Sequence, residues 1–178
     1  MTSIINKLND IWNGINTSLI NTYPEYAGRQ FLLPPITEEK IREIENHFSV
    51  TFPGEYRESL KIHEGTGSSV WLWDAIAISD LEVMLEDHAA YMREASYPNM
   101  QGLSLDAIGP VANKLFNPFW IPVASDNGIP ICLDFAPTPG GLVGQIIYVD
   151  WEDGTVKVIA KNFIEFLEAG LSKMESKI

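Results

Sequence analysis

Carboxylates beside turn residues are the side chains best placed to do chemistry in this chain. Four of them lie near the ends of apolar segments in its second half: Asp126, Asp134, Asp150 and Asp153. Two carboxylates held close together can bind a divalent metal or act as general acid and base in glycoside cleavage. No spacing in the sequence fixes their separation, and aspartate at a strand end usually serves a turn. A metal-dependent hydrolase therefore stays an alternative, and we expect no catalytic residues.

The other motifs that could bind a ligand are incomplete. His63-Glu64 lacks the second histidine four positions later that a zinc-binding helix requires. Residues 126–128 lack the alternating oxygen ligands of a calcium loop and instead predict a hairpin turn. The glycines of residues 139–144 have no following Lys-Ser or Lys-Thr, so they do not predict a phosphate loop. The sequence thus predicts neither a metal nor a cofactor.

The charge of the chain is strongly negative and unevenly distributed. The 178 residues have a net charge of −12, which disfavours nucleic acid and anionic membrane as partners. No Lys or Arg occurs between Lys61 and Arg93, or between Lys114 and Lys157, whereas both stretches contain several acids. If the two stretches are neighbours in space, they form a strongly negative surface. This charge is consistent with solubility alone or with attraction of a basic partner.

Four tryptophans, Trp71, Trp73, Trp120 and Trp151, have two interpretations. They can be core residues, since aromatic side chains dominate core burial, or anchors for a partner protein. Two of them are next to carboxylates, which would suit a basic and partly apolar partner surface. The residues of this partner-binding hypothesis are Trp73, Asp74, Glu82, Glu86, Asp87, Asp126, Asp134, Asp150, Trp151, Glu152 and Asp153.

Apolar spacing and capping residues predict helices at both ends of the chain. The predicted helices are residues 4–20, a helix capped by Thr37, residues 55–63 closed by Gly65, a helix opened by a Ser79/Glu82 capping box that ends near residue 94, and a last helix capped by Asn162.

Strand signals lie between these helices and follow one another as hairpins. The predicted strands are residues 69–78, 120–124, 129–135, 143–149 and 156–160. Pro122 predicts an edge strand or a strand end. This order predicts an α+β fold, with one mostly antiparallel sheet of about five or six strands flanked by helices. We expect residues 1–32 to be an extra N-terminal helix and connector, packed on a main domain of residues 33–178.

The cellular compartment is indicated by three weaker features. Cys132 is the single cysteine, so it cannot form an internal disulfide, and a buried thiol is expected. Asparagines interrupt the N-terminal apolar residues, which argues against a signal peptide, and no apolar run has the length of a membrane span. We therefore expect a cytoplasmic protein.

Five segments, taken in order, resemble the SUKH superfamily, in particular its Smi/Knr group of cell-wall synthesis regulators. The similar segments are residues 33–39 (LPPITEE), 52–65 (FPGEYRESL followed by HEG), 117–126 (NPFWIPVASD), 132–146 (CLD, PTPGG and GQI) and 163–167 (FIEFL). The chain departs from the group at Glu64, where the group has Asn, and at Ala136, where it has a second Asp. Residues 1–30 lie outside the resemblance.

The resemblance implies a non-enzymatic, protein-binding role. Bacterial members of the superfamily resemble immunity proteins of polymorphic toxin systems, which neutralise a cognate toxin, often a nuclease. The resemblance therefore implies an antitoxin whose protein partner has a basic surface. We expect this chain to be a monomer or a weak homodimer. Fungal members imply the alternative, a regulatory scaffold of cell-wall synthesis or signalling without a toxin partner.

Overall fold

A computed structural model describes residues 2–24, 30–66, 72–73 and 76–176 of the chain. Within these residues the chain forms five helices and six strands. In order they are α1 (Thr2–Thr22), α2 (Glu38–Phe48), α3 (Gly54–Leu60), β1 (Ile76–Ile78), α4 (Leu81–Ala95), β2 (Asp106–Ile108), β3 (Trp120–Asp126), β4 (Ile129–Asp134), β5 (Gln145–Asp150), β6 (Thr155–Ala160) and α5 (Phe163–Glu175).

The strands form one sheet in the order β1-β3-β4-β5-β6-β2. Every neighbouring pair is antiparallel except β2 and β6, which are parallel. Asn127 and Gly128 join β3 to β4 with φ angles of 49° and 91°, the left-handed conformation that a two-residue hairpin requires. The prediction of an α+β fold with a mostly antiparallel sheet is confirmed.

The two faces of the sheet pack against different layers. One face, with Ile121, Leu133 and Ile146, forms the main core together with α1, α2, α3 and α5. The other face, with Trp120 and Cys132 among its buried residues, packs against the segment between α4 and β3 and forms a smaller cluster. Because successive side chains of a strand point to opposite faces, each central strand contributes to both clusters.

Helix α1 belongs to the main core. Its side chains at helical spacing, which include Leu8, Trp12 and Ile15, are buried in the same cluster as the sheet, and the helix contacts α3 and α5. The indole Nε1 of Trp12 donates a hydrogen bond to Ser59 Oγ at 3.0 Å. Helix α1 is thereby joined to α3 by both apolar packing and a buried hydrogen bond.

Two predicted helix boundaries are wrong by a few residues. Helix α3 ends at Leu60, and Gly65 does not cap it. Gly65 is instead needed for close packing, since a Cβ there would lie 2.7 Å from the carbonyl oxygen of Ile78. Helix α4 is capped by Asp80 and not by Ser79, because the Asp80 carboxylate accepts a hydrogen bond from the amide of Val83 at 2.8 Å.

The strand predictions differ from the structure in three places. Of the strand predicted at 69–78, residues 72–73 and 76–78 are described and only β1 is a strand among them, whereas Trp71 and Asp74 lie outside the described residues. Strand β2 was not predicted, because its three residues are all exposed and show no alternation. Pro122 is in an interior strand, next to a β-bulge. The pairing of β3 with β1 begins at Ala124 and therefore does not include Pro122.

Candidate functional site

A groove of about 620 Å³ runs between α4, the segment that precedes β3, and the sheet face with the smaller cluster. Its floor is apolar and includes Pro130 and Cys132 of β4 and Val149 of β5. Its walls are formed by one face of α4, by residues between Met100 and Phe116, and by Trp151 in the turn after β5. This volume is in the range of sites that take small ligands or several side chains of a partner.

The wall from α4 is built by residues at helical spacing. Asp87, Tyr91 and Glu94 are four and three positions apart, so they lie on one face of the helix and all line the groove. The hydroxyl of Tyr91 donates a hydrogen bond to the carbonyl oxygen of Leu115, and its ring packs edge-on against Phe116 with centroids 4.6 Å apart. These contacts attach the irregular segment to the helix and thereby define the width of the groove.

The electrostatic potential of this wall is negative. Partial burial, followed by repulsion from Glu86 and Asp80, raises the pKa of the Asp87 carboxyl above its usual range. Among the residues that the structure describes, the salt bridges lie within α2 and at the end of α3, join α2 to α3, or join α1 to α5, and none involves Asp87 or Glu94. Two carboxylates that form no salt bridge with any described residue therefore line an apolar groove.

Two large apolar side chains of the groove are also open to water. Trp151 is 46% exposed and Leu103 is 48% exposed, and both line the groove. Exposed apolar side chains gathered in a concave surface are typical of interaction sites, whereas single exposed ones are common on any protein.

A buried row of polar side chains crosses three strands on this face of the sheet. The indole of Trp120 and the side-chain amide of Gln145 both donate to the carboxylate of Asp134, at 3.1 Å and 2.9 Å. Gln145 also donates to the carbonyl oxygen of Pro110 and accepts from the amide of Leu142. The segment that forms the groove wall is thus hydrogen-bonded to the sheet.

Asp134 has no exposed surface, and its burial is the main influence on its titration. Burial raises the pKa of its carboxyl, although hydrogen bonds from Ala136, Gln145 and Trp120 act in the opposite direction. The side chain is therefore a structural link between strands, and it cannot contact a partner at the surface of this structure.

The structure brings some of the predicted partner-binding residues together and separates others. Asp87 and Trp151, from the two acidic stretches, line the same groove. Trp73 is buried against Phe166, with ring centroids 5.4 Å apart, and Asp126 accepts a hydrogen bond from the Tyr148 hydroxyl. Of the remaining described members, Glu82 and Glu86 are exposed on α4, Asp150 is buried at the end of β5, and Glu152 and Asp153 belong to the β5–β6 turn.

Most residues of the groove were not predicted from the sequence, among them Tyr91, Glu94 and Leu103. Tyr91 and Glu94 could have been found, because they continue the helical spacing from Asp87. Leu103 could not, since it lies in an irregular segment whose position on the sheet no local pattern indicates. Partner binding by any of these residues stays a prediction.

Neither a group of metal ligands nor a membrane-spanning helix occurs in the described residues. In them, no three His, Cys, Asp or Glu side chains are grouped so that they could hold a metal ion. None of the described helices combines the length and apolarity needed to cross a membrane.

The fold and the groove define a small α+β domain with an open apolar cleft on one sheet face. The chain belongs to the SMI1/KNR4 family (SUKH-1), whose sequence model matches residues 35–169. The resemblance found in its five motifs is therefore confirmed.

Curated relatives of the chain are named as fungal regulators. The chain is 30% identical, over 79% of its length, to the cell wall biosynthesis/cell cycle regulator smi1 of Schizosaccharomyces pombe. It is 27% identical, over 82% of its length, to the cell wall assembly regulator SMI1 of Saccharomyces cerevisiae, and 27% identical, over 88%, to the glucan synthesis regulatory protein of Neurospora crassa. The chain spans about a third of these relatives, namely 31% of the first and 36% of the other two.

These names favour the regulatory alternative over the immunity interpretation. They describe regulators and not enzymes, which is consistent with a non-catalytic domain. None of the three names refers to a toxin, so the expectation of a toxin-neutralising role has no support from these relatives.

Proposed function

We propose that this chain is a regulatory protein-binding domain that acts in cell-wall synthesis and docks a partner protein in the groove beside α4. The relatives named above support the regulatory part of the proposal. The observation that carries the binding part is the position of Trp151 and Leu103, which are about half exposed and line one concave site.

The groove has the features that protein-binding sites share. Its apolar residues can bury partner side chains, and tryptophan and tyrosine are enriched among the residues that dominate binding energy. Its wall is anchored by Tyr91 on α4 and by Gln145 on β5, so little ordering of the wall is needed when a partner binds. Such preorganisation favours binding because fewer conformations are lost in the complex.

A chimaera tests this proposal. In Saccharomyces cerevisiae without its SMI1, the region of that protein matched by this chain would be replaced by the chain itself. We expect the chimaera to restore growth on a cell-wall-perturbing dye to the level given by intact SMI1. The double variant Trp151→Ala/Leu103→Ala should lose this rescue, because both exposed side chains of the groove are removed.

The matched control is Phe119→Ala. Phe119 is 47% exposed, about as much as Trp151, but it does not line the groove. Its variant should rescue growth like the unmodified chimaera. Rescue by the Trp151/Leu103 double variant would contradict the groove as the docking site, and a folded chimaera that never rescues would contradict the regulatory role.

Toxin neutralisation is a second candidate, favoured by the net charge of −12. An acidic protein can occupy the basic substrate cleft of a nuclease. The test is calorimetric titration of the purified chain with the product of any adjacent toxin gene. A tight complex that abolishes toxin activity would support this candidate, and a flat titration would remove it.

A further inference from the structure

We infer that the groove recognises a short extended segment of its partner in which a large apolar side chain lies between two Lys or Arg residues about three positions apart. This inference rests on the proposed function, since it specifies which partner chemistry the docking site selects. The charges of the α4 wall, their separation, and the apolar side chains between and opposite them all favour such a segment.

The charges of the groove select a cationic partner. Asp87 and Glu94 line it, and neither belongs to a salt bridge among the described residues. No Lys or Arg is among the described residues that line the groove. A Lys or Arg brought beside these carboxylates therefore makes a new ion pair without breaking one, and its approach is favoured by the field of an acidic protein.

The separation of the two carboxylates sets the spacing in the partner. Asp87 and Glu94 are seven residues apart on α4, which is about 10 Å along the helix axis. An extended chain advances about 3.3 Å per residue, so the same distance corresponds to about three residues. Two basic side chains at that spacing can each reach one carboxylate.

The apolar part of the groove lies where the middle of such a segment would pass. Tyr91 is between the two carboxylates on α4, and Trp151 and Leu103 line the same site with exposed surface. An apolar or aromatic side chain of the partner would contact them above the floor formed by Cys132 and Val149. Burial of these side chains gives affinity, and the carboxylates set the orientation.

A second copy of this chain is a poorer occupant. Each copy has a net charge of −12, so two copies repel each other, and each would bring further carboxylates towards Asp87 and Glu94. A basic segment of a different protein has the complementary charge.

Selection from a peptide library tests the inference. A phage-displayed library of random dodecapeptides would be panned on the purified full chain, and the enriched sequences synthesised for titration. We expect enrichment of Leu, Phe or Trp between Lys or Arg residues about three positions apart. The charge reversal Asp87→Lys/Glu94→Lys should weaken binding of the enriched peptide at least about tenfold, since attraction becomes repulsion.

A matched reversal controls for net charge. Asp10→Lys/Glu175→Lys changes the net charge by the same amount on exposed positions of α1 and α5, which pack on the opposite face of the sheet. It should alter affinity less than about twofold, because exposed charges beyond a Debye length are screened. Circular dichroism of both variants would show that each is folded.

Several results would overturn the inference. They are the enrichment of acidic or uncharged peptides, the absence of any enrichment, and equal loss of affinity in both charge reversals. If the chimaera still rescued growth, such results would reject only this partner chemistry and leave the proposed function standing. Selective binding of basic peptides by a chain that never rescued growth would reject the proposed function and leave this partner chemistry standing.

Discussion

The indole Nε1 of Trp120 donates to the carboxylate of Asp134 at 3.1 Å, which joins two residues 14 positions apart that are both fully buried. Gln145 on the next strand donates to the other oxygen of the same carboxylate at 2.9 Å. Trp120 belongs to one segment of the family resemblance, and Asp134 and Gln145 belong to another. Their meeting explains why those motifs contain an indole, a carboxylate and an amide: each satisfies the hydrogen bonds of another in the interior.

Replacing Asp134 with Asn should destabilise the protein by about 2 kcal/mol. All three partners of the carboxylate are donors, namely Trp120, Ala136 and Gln145. The new Nδ2 group would face the Nε2 group of Gln145, which leaves buried donors unsatisfied. Asp150→Asn is the control, because its Oδ1 accepts one amide, that of Asp153, and Asn keeps an acceptor there. Urea unfolding measures both, and an Asp134→Asn variant as stable as the parent would contradict this account.

Replacing Tyr56 with Phe should leave the free energy of unfolding unchanged or raise it by up to about 1 kcal/mol. The Tyr56 hydroxyl is buried and has no hydrogen-bond partner among the residues that the structure describes. Burial raises the pKa of this hydroxyl. Ser59→Ala, in the same helix, should instead cost about 1–3 kcal/mol, because it removes the acceptor of the buried Trp12 indole. Equal losses in the two variants by thermal unfolding would refute the prediction.

Asp87→Asn should raise the melting temperature at pH 7 and have little effect below pH about 3.9, the ordinary pKa of aspartate. Partial burial and the carboxylates of Glu86 and Asp80 raise the pKa of Asp87 in the folded protein. The ionised form is therefore disfavoured in the folded state, and the favourable contribution of the protonated form is lost as pH rises through the folded pKa. Glu39→Gln, at an exposed acid in the first turn of α2, is the control and should not raise the melting temperature at pH 7, because the helix dipole favours a carboxylate there. A pH-independent difference for Asp87→Asn would count against the prediction.

Gly144→Ala should destabilise the protein more than Gly140→Ala. Both glycines have positive φ angles, 83° and 95°, so alanine is strained at each by about 1 kcal/mol. At Gly144 the new Cβ would also overlap the ring of Pro53, whereas no atom of the described residues lies within 4 Å of a Cβ at Gly140. We expect a total loss of about 2–4 kcal/mol for Gly144→Ala by urea unfolding. Similar losses at both glycines would show that the contact with Pro53 has no energetic weight.

Local patterns in the sequence determined most of the secondary structure. Thr37 and Asn162 cap their helices as predicted, because a cap is a contact between residues three positions apart. Asn127-Gly128 forms its hairpin because the required backbone conformation is intrinsic to these two residues. Strand β2 was not predicted, since it is exposed throughout, whereas β1 lies within the strand predicted at 69–78.

The composition and periodicity of the sequence were also sufficient to predict an acidic α+β domain, because hydrophobic periodicity, turn residues and charge are properties of neighbouring residues. The SUKH superfamily was predicted from the resemblance of five motifs in order. Only the tertiary structure decided which acids are accessible. It placed Asp87 in one groove together with Trp151, and it buried Asp134, whose carboxylate accepts a hydrogen bond from the Trp120 indole. Those outcomes depend on strand register and on the path of the irregular segment between α4 and β3. Both are set by long-range packing and buried hydrogen bonds, which bring together residues that are distant in the chain.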